Sequence, residues 1–274
     1  MTLPDGLKLV VQARLESTRL PRKVVQPLLG QPLLLQLLDR LTTVFDREDI
    51  LVAVARTEAN AELVGLLHRH GYEARMPEVA PEDVLARYAD LAAAEQLDAV
   101  VRVTGDCPLL DAQVILELIK AYRSDADDLA LMAQSPAWAD GLDAEVIAAD
   151  ALLSANAEAT RPSDREHVTP YLWRDAARFA QALLPCPLDL SGHCWSVDDA
   201  ADLRWAERVY LGLYRRAGRG FGWREVYAYL ATHPDLWQHA TGRVRNQAYV
   251  AQLTAEGVSA ASWEALRYQG GATA

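Results

Sequence analysis

Two aspartates close short apolar runs, Asp106 in Val-Arg-Val-Thr-Gly-Asp106 and Asp198 in Cys-Trp-Ser-Val-Asp198. Paired carboxylates are the donors that hard divalent cations prefer, and Mg2+ is commonly held by one or two of them together with substrate phosphates. A basic segment supplies the complementary charge. The stretch ARLESTRLPRK, residues 13–23, carries Arg14, Arg19, Arg22 and Lys23 against a single acid, Glu16. The whole chain has 38 Asp plus Glu against 27 Lys plus Arg, a formal net charge of −11, so this local reversal suits an anion. A loop entering a helix adds unpaired backbone N–H groups, and Ser17 and Thr18 add hydroxyls. On spacing alone, the loop is either an anion site or a solvated turn set by Pro21. Asp106 is either a ligand or the cap of a turn, and Asp198 or Asp199 is equally suited to N-cap the next helix.

These groups need elements that bring them together. Short β-branched runs predict strands at 9–13, 50–55, 72–76 and 99–104, alternating with helical periodicity over 32–44, 58–69, 81–96 and 111–122. Such alternation implies a mainly parallel sheet with helices on both faces. Further strands are expected at 144–149, 179–184 and 194–197. In open α/β sheets ligands bind outside the carboxyl ends of the strands. Arg14, Asp106 and Asp198 each follow a predicted strand, which puts all three on one edge. Ser163 and Glu166 have capping-box spacing for a helix, and a long helix is expected over 200–216. The pattern beyond Gly222 is helical, with a loop at His233-Pro234. The expected organisation is one doubly wound α/β domain over 1–216 and a helical C-terminal extension over 217–274.

Composition excludes other classes. Of the 274 residues, 51% are hydrophobic and 24% charged, enough for a large core and unlike a disordered chain. The acidic balance argues against duplex nucleic acid and anionic membrane surfaces as partners. The N-terminus lacks the pattern of a signal peptide, and no apolar run approaches the roughly 18 residues of a spanning helix. Cys107, Cys186 and Cys194 fit neither a disulfide framework nor a zinc spacing. The expectation is a cytoplasmic protein with free thiols.

The loop QARLESTRLPRK resembles the nucleotide loop of sugar cytidylyltransferases, in which Ala-Arg-x-x-Ser-Thr-Arg-Leu-Pro-x-Lys embraces the CTP triphosphate. The Kdo (3-deoxy-manno-octulosonate) enzymes carry that core. Gln12 brings the chain nearer to the spore coat polysaccharide branch, relatives of the acylneuraminate enzymes, which usually has Gly at the positions of Glu16 and Arg22. RVTGDCPLLD is similar to the family's Gly-Asp-x-Pro-Leu segment, and SVDDAADL more loosely to its Val-Asp-Thr-Pro-Glu-Asp-Leu metal segment. The segments around Pro81–Arg87, Asp140–Glu145, Arg165–Pro170 and His233–Tyr249 also resemble family segments, so the likeness covers about residues 8–250.

That resemblance implies a Rossmann-like nucleotide-diphosphosugar transferase fold, a homodimer, and attack of a sugar or sugar-acid hydroxyl on the α-phosphorus of CTP. The products would be a CMP-sugar, for polysaccharide synthesis, and pyrophosphate. It implies Gln12, Arg14, Ser17, Arg19, Lys23, Asp83, Arg87 and Thr104 on the nucleotide, with Thr104 near the cytosine. Arg14, Lys23 and Asp106 would be catalytic, and Mg2+ would sit on Asp106 and Asp198. Asp143, Glu145, Arg165 and His167 would meet the acceptor sugar. The residues themselves leave other readings open. Asp83 and Arg87, at i and i+4, could form a surface ion pair. Asp143 and Glu145 share one strand face that is either sugar-facing or solvated, and His167 is equally a core or interface histidine. The rival functions are a glycosyltransferase that consumes a sugar nucleotide and a non-catalytic sugar-nucleotide binding protein.

Overall fold

In the computed structural model, residues 1–124, 129–243 and 245–259 are described. The core is built on β1 (Leu7–Ala13), where Leu9, Val10 and Val11 are wholly buried. A strand buried on both faces needs cover on both, and that is the mark of a parallel sheet interior. β1 runs parallel to β4 (Ile50–Val54) on one side and to β6 (Ala99–Thr104) on the other, and β4 runs parallel to β5 (Glu73–Arg75). Beyond β6 the direction changes. β8 (Ala144–Ala148) is antiparallel to both β6 and β7 (Leu131–Gln134), and β7 pairs in parallel with β9 (Gln181–Leu184). The order is β5-β4-β1-β6-β8-β7-β9, with a separate two-residue hairpin of β2 (Pro27–Leu28) and β3 (Gln31–Pro32).

Helices cover both faces, as the alternating pattern predicts. α1 (Leu33–Leu41), α2 (Asn60–Arg69) and α4 (Ala112–Ser124) place Leu34, Leu38, Leu63, Leu67, Ile115 and Leu118 on one face. α3 (Val84–Ala94), α5 (Ala149–Glu158) and α7 (Pro170–Arg174) cover the other with Leu85, Tyr88, Leu91, Leu152 and Leu172. The short α6 (Pro162–His167) packs on α3. A third core joins α8 (Ala200–Ala217), α9 (Trp223–Ala231) and α10 (Pro234–Ala240) to Leu28, Leu33, Leu109, Trp138 and Trp195. α11 (Gln247–Ala255) is the last described helix, and residues 244 and 260–274 of the expected extension lie outside the described residues.

Arg40 ties that third core to the sheet. Its side chain is 2% exposed and lies 4.0 Å over the Phe221 ring. Its guanidinium donates to the carbonyls of Leu109 and Leu110 and to those of Arg219 and Phe221, each of the last two at 2.9 Å. A buried charge is tolerable only with such full hydrogen bonding.

Two local expectations change. Residues 194–197 form no ladder strand: Cys194 makes a single bridge to Asp140, and the segment is pinned by Trp195 N–H to Asp140 O and Val197 N–H to Asp106 O at 3.0 Å. Gly141, at φ +99°, permits that approach, since a Cβ there would lie 2.5 Å from Ser196 N. Ser163 does not cap its helix; its N–H and hydroxyl both donate to Glu256, and Arg161 occupies the N-cap without a side-chain bond. The capping box is found instead on α8, between Asp199 and Asp202. Among the described residues no helix is long and apolar enough to cross a membrane.

Candidate active site

A cleft of about 1020 Å³ opens at the carboxyl ends of β1 and β6. Gly105 lets the two strand ends close together: its N–H donates to Gln12 O at 3.0 Å, and a Cβ would lie 2.7 Å from that oxygen. The basic loop leaves β1 and is held at several points. Leu15 N–H donates to Oδ1 of the buried Asn60 at 2.8 Å, and Arg22 N–H to Leu15 O at 3.1 Å. Glu16, the one acid of the loop, is turned into this scaffold by Thr57 Oγ1 at 2.5 Å and Asn60 Nδ2 at 2.8 Å. Slight burial would raise its carboxyl, but those bonds and the nearby Arg14 charge hold it below its ordinary value. Arg22 turns the chain in the left-handed region, φ +56°, and pairs with Glu62. It thus adopts a backbone conformation that ordinarily favours glycine.

The expected metal carboxylates and phosphate cations converge. Lys23 Nζ donates to Asp106 Oδ2 at 2.7 Å and to Asp198 Oδ1 at 3.1 Å, and Arg19 Nη2 lies 2.8 Å from the same Asp198 oxygen. Lys23 is 11% exposed, Asp198 23% and Asp106 31%. Burial alone would raise the Asp106 carboxyl, but Lys23 and the Thr104 hydroxyl hold it down to about 2. Burial alone would lower Lys23, and the two carboxylates reverse that, leaving it above its ordinary value. The N-cap alternative falls to Asp199, whose side chain accepts from Ala201 and Asp202 N–H, so Asp198 is left facing the cleft. Among the described residues no group of three or more His, Cys, Asp and Glu gathers to hold a metal. Asp106 and Asp198 together offer all-oxygen donors already converged on a cation, a set that suits Mg2+ if other oxygens complete the shell.

Gln12, Ser17, Arg87 and Thr104 also line the cleft. Arg87 is 2% exposed and, among the described residues, has no carboxylate within ion-pair distance: Nη2 donates to Pro81 O, and Nε has no hydrogen-bond partner there. Burial, with Arg14 nearby, pulls its pKa below the ordinary value. Gln12 Oε1 is likewise buried and unpartnered. The expected Asp83–Arg87 ion pair is absent. Asp83 caps α3 through Ala86 N–H and pairs with Arg165, whose Nη2 lies 2.5 Å from Asp83 Oδ2. Arg165 also donates to Asn156, so neither Asp83 nor Arg165 lines the cleft, and any effect of theirs on a ligand passes through the seating of α3 and α6.

A second set of lining groups carries the residues expected at the acceptor. Glu145 is buried; it accepts from Arg102 Nη1 at 2.6 Å and from Thr169 Oγ1 at 2.8 Å. Asp143 accepts from Gly141 N–H and pairs with Arg245. His167 contacts Gln252 Oε1 at 3.0 Å and packs edge-on to Tyr249, and burial lowers its pKa. Asn246, Gln247 and Tyr249 bring the tail into the same wall, and Arg14 reaches Glu166 at 3.6 Å. The sequence reading missed Arg102 and Asp140. Arg102 sits in the middle of a strand, and its only sequence signal was a charge between Val101 and Val103. Its register opposite Glu145 explains it. Asp140 carries a carboxyl pushed up to about 6 by burial and by Asp143, against the pull of Arg245.

Comparison with known proteins bears on this arrangement. Residues 9–193 match the family model described as cytidylyltransferase. A spore coat polysaccharide biosynthesis protein, SpsF, of Bacillus subtilis is 29% identical over 188 residues, 67% of this chain and 76% of that protein. An uncharacterised protein of Methanocaldococcus jannaschii is 28% identical over 243 residues, 88% of this chain and 96% of its own length. Among solved structures, a cytidylyltransferase from Leptospira borgpetersenii superposes with a TM-score of 0.80 at 22% identity, covering 87% of this chain and 99% of that one. A CMP-2-keto-3-deoxy-manno-octonic acid synthetase complexed with CTP gives 0.58 at 15% identity, covering 76% and 99%. These likenesses establish the Rossmann-like α/β fold.

Proposed function

The chain belongs to the cytidylyltransferase family, and from that premise we propose that it couples CTP to a hydroxyl of a sugar or sugar acid. The products are a CMP-sugar for polysaccharide or glycan synthesis and pyrophosphate. The observation that carries this reading is the convergence of Asp106, Asp198, Arg19 and Lys23 within ion-pair distance at the carboxyl edge of the sheet. Little covalent chemistry is asked of the protein. Its work is to align the acceptor hydroxyl with the leaving pyrophosphate and to neutralise the charge that develops there.

Arg14, Arg19 and Lys23 bind the triphosphate, with Ser17 as an added donor. Gln12 and Arg87 bring buried, unpartnered polar atoms to the same cleft, and with Thr104 they hold the base. Asp106 and Asp198 are the residues that would hold Mg2+. Bound there, the ion would neutralise phosphate charge and lower the pKa of the acceptor hydroxyl. Asp143, Glu145 and His167 shape the acceptor wall, and the helical extension from residue 217 completes it through Asn246, Gln247 and Tyr249. His167 is not assigned as the base, because its ring nitrogen faces Gln252. A homodimer and a cytoplasmic location belong to the same proposal; sedimentation as a monomer at working concentration would remove the first.

The test is calorimetric titration of CTP, ATP, GTP and UTP, each with and without Mg2+, followed by pyrophosphate release across neutral sugars and sugar acids. Selective, metal-strengthened CTP binding with acceptor-dependent pyrophosphate release is expected. A preference for another nucleotide, or binding without turnover on any acceptor, moves the chain to a sugar-nucleotide-consuming or non-catalytic role.

A further inference from the structure

Lys23 and Arg19 do not wait free for an anion. Lys23 Nζ bridges Asp106 Oδ2 and Asp198 Oδ1, and Arg19 joins the same Asp198 oxygen. Two carboxylates are matched by two side-chain cations, so the cluster is already neutral. The backbone around them is fixed by Leu15 N–H on Asn60, Arg22 N–H on Leu15 and the turn Lys23–Val25. Any change of partner is therefore a rotation of side chains. Lysine suits that task, as a compact charge on a flexible four-carbon stem.

A divalent cation arriving alone between the carboxylates meets the Lys23 ammonium in the same place, with like charge. A triphosphate arriving alone takes Lys23 and Arg19 but leaves Asp106 and Asp198 bare and facing its own charge. When both arrive, partners exchange without leaving any group unmatched. The geometry points to Lys23 as a resident counter-ion, holding the two carboxylates until nucleotide arrives and thereby coupling nucleotide binding to cation binding. Arg19 plays a lesser part on the exposed side of Asp198. This rests on the cytidylyltransferase reading for the nucleotide, and on the carboxylates alone for the cation. Because coupling between two ligands is reciprocal, one factor describes both directions, on the order of tenfold.

The experiment uses Mn2+ as the probe, followed through loss of the free-ion EPR signal on the full chain without nucleotide. Wild type should bind Mn2+ weakly, and Lys23→Met should bind it roughly tenfold more tightly. Arg19→Met should gain about threefold, and adding Asp198→Asn to Lys23→Met should remove the gain. In calorimetry, Mn2+ should tighten CTP on wild type and do so much less on Lys23→Met. Lys23→Met that is folded by circular dichroism and binds Mn2+ no better than wild type overturns the exchange. If Lys23→Met does not fold, Arg19→Met decides in its place, and no gain there overturns it. Failure of CTP to bind wild type overturns the cytidylyltransferase reading, while the nucleotide-free Mn2+ titrations still decide the exchange.

Discussion

The cleft carries two sets of charges handled in opposite ways. Around Asp106 and Asp198, the cations come from one loop and share oxygens, Lys23 with both carboxylates and Arg19 with one of them. Around Glu145 and Asp143, each carboxylate has its own arginine from another element, Arg102 from β6 and Arg245 from the tail. Arg174 on Asp164 and Arg165 on Asp83 repeat that pattern nearby. Shared, partly solvated ion pairs can be handed to a ligand. The Glu145–Arg102 pair, 11% and 14% exposed, is held between two strands, is expensive to break and serves as a wall. Under the proposed function, the way partners are shared, rather than charge alone, separates the groups that exchange from those that frame the cleft.

The largest test of that contrast is Asp106→Asn. Turnover should fall by about a thousandfold, ~4 kcal/mol of lost transition-state stabilisation, with little change in melting temperature. Steady-state pyrophosphate release and a thermal melt read the two sides, and near-wild-type turnover would remove Asp106 from the reaction. Glu145→Ala should do the reverse and lose roughly 3 kcal/mol of stability by leaving Arg102 buried and unpaired. Adding Arg102→Met should restore part of it in urea unfolding. A double variant as unstable as the sum of its parts would mean that the pair is not a locked unit.

Asp140 sharpens the contrast, because Arg245 bonds to its neighbour Asp143 and leaves Asp140 to Asn246 N–H. Its folded pKa, about 6, lies above the ordinary 3.8. Its favourable contribution is therefore complete below about pH 3.8 and is lost as pH rises through about 6. Asp140→Asn should then exceed wild type by on the order of 2 kcal/mol at pH 7.5, with the gap closing by pH 4. A gap independent of pH in denaturant melts would refute this. The smallest effect concerns the frame of the basic loop. Arg22→Val should cost about 1 kcal/mol, since a β-branched residue is disfavoured at positive φ, whereas Arg22→Gly should stay within about 0.5 kcal/mol of wild type.

Much of this was legible in the chain. The parallel strands and their helices showed in apolar runs and periodicity because they are buried on both faces or along one stripe. The loop and Asp106 showed because Gly, Pro and clustered charge are local signals. β7 and α5 went unread: β7 is only four residues long, three of them apolar before Gln134, and α5 follows β8 without a side-chain cap. The Asp83–Arg87 spacing gave a plausible pair, but tertiary packing carried Arg165 onto Asp83 and buried Arg87. Arg102, Arg245 and the tail residues at the cleft were beyond reach, since their partners lie far away in sequence and only register and packing bring them together.

Arg40 sets the order in which this molecule can be finished. Two of its carbonyl acceptors lie 179 and 181 residues further along the chain. As the polypeptide leaves the ribosome, α1 and the basic loop emerge early, yet the guanidinium has to stay hydrated until Arg219 and Phe221 exist. A charge that cannot be dehydrated keeps its face of the nascent sheet open, and contacts of such long range come late. The sheet face beside α1 is therefore expected to close only once Arg219 and Phe221 have been made, and a chain stalled before that point would leave the Arg40 guanidinium hydrated and that face open.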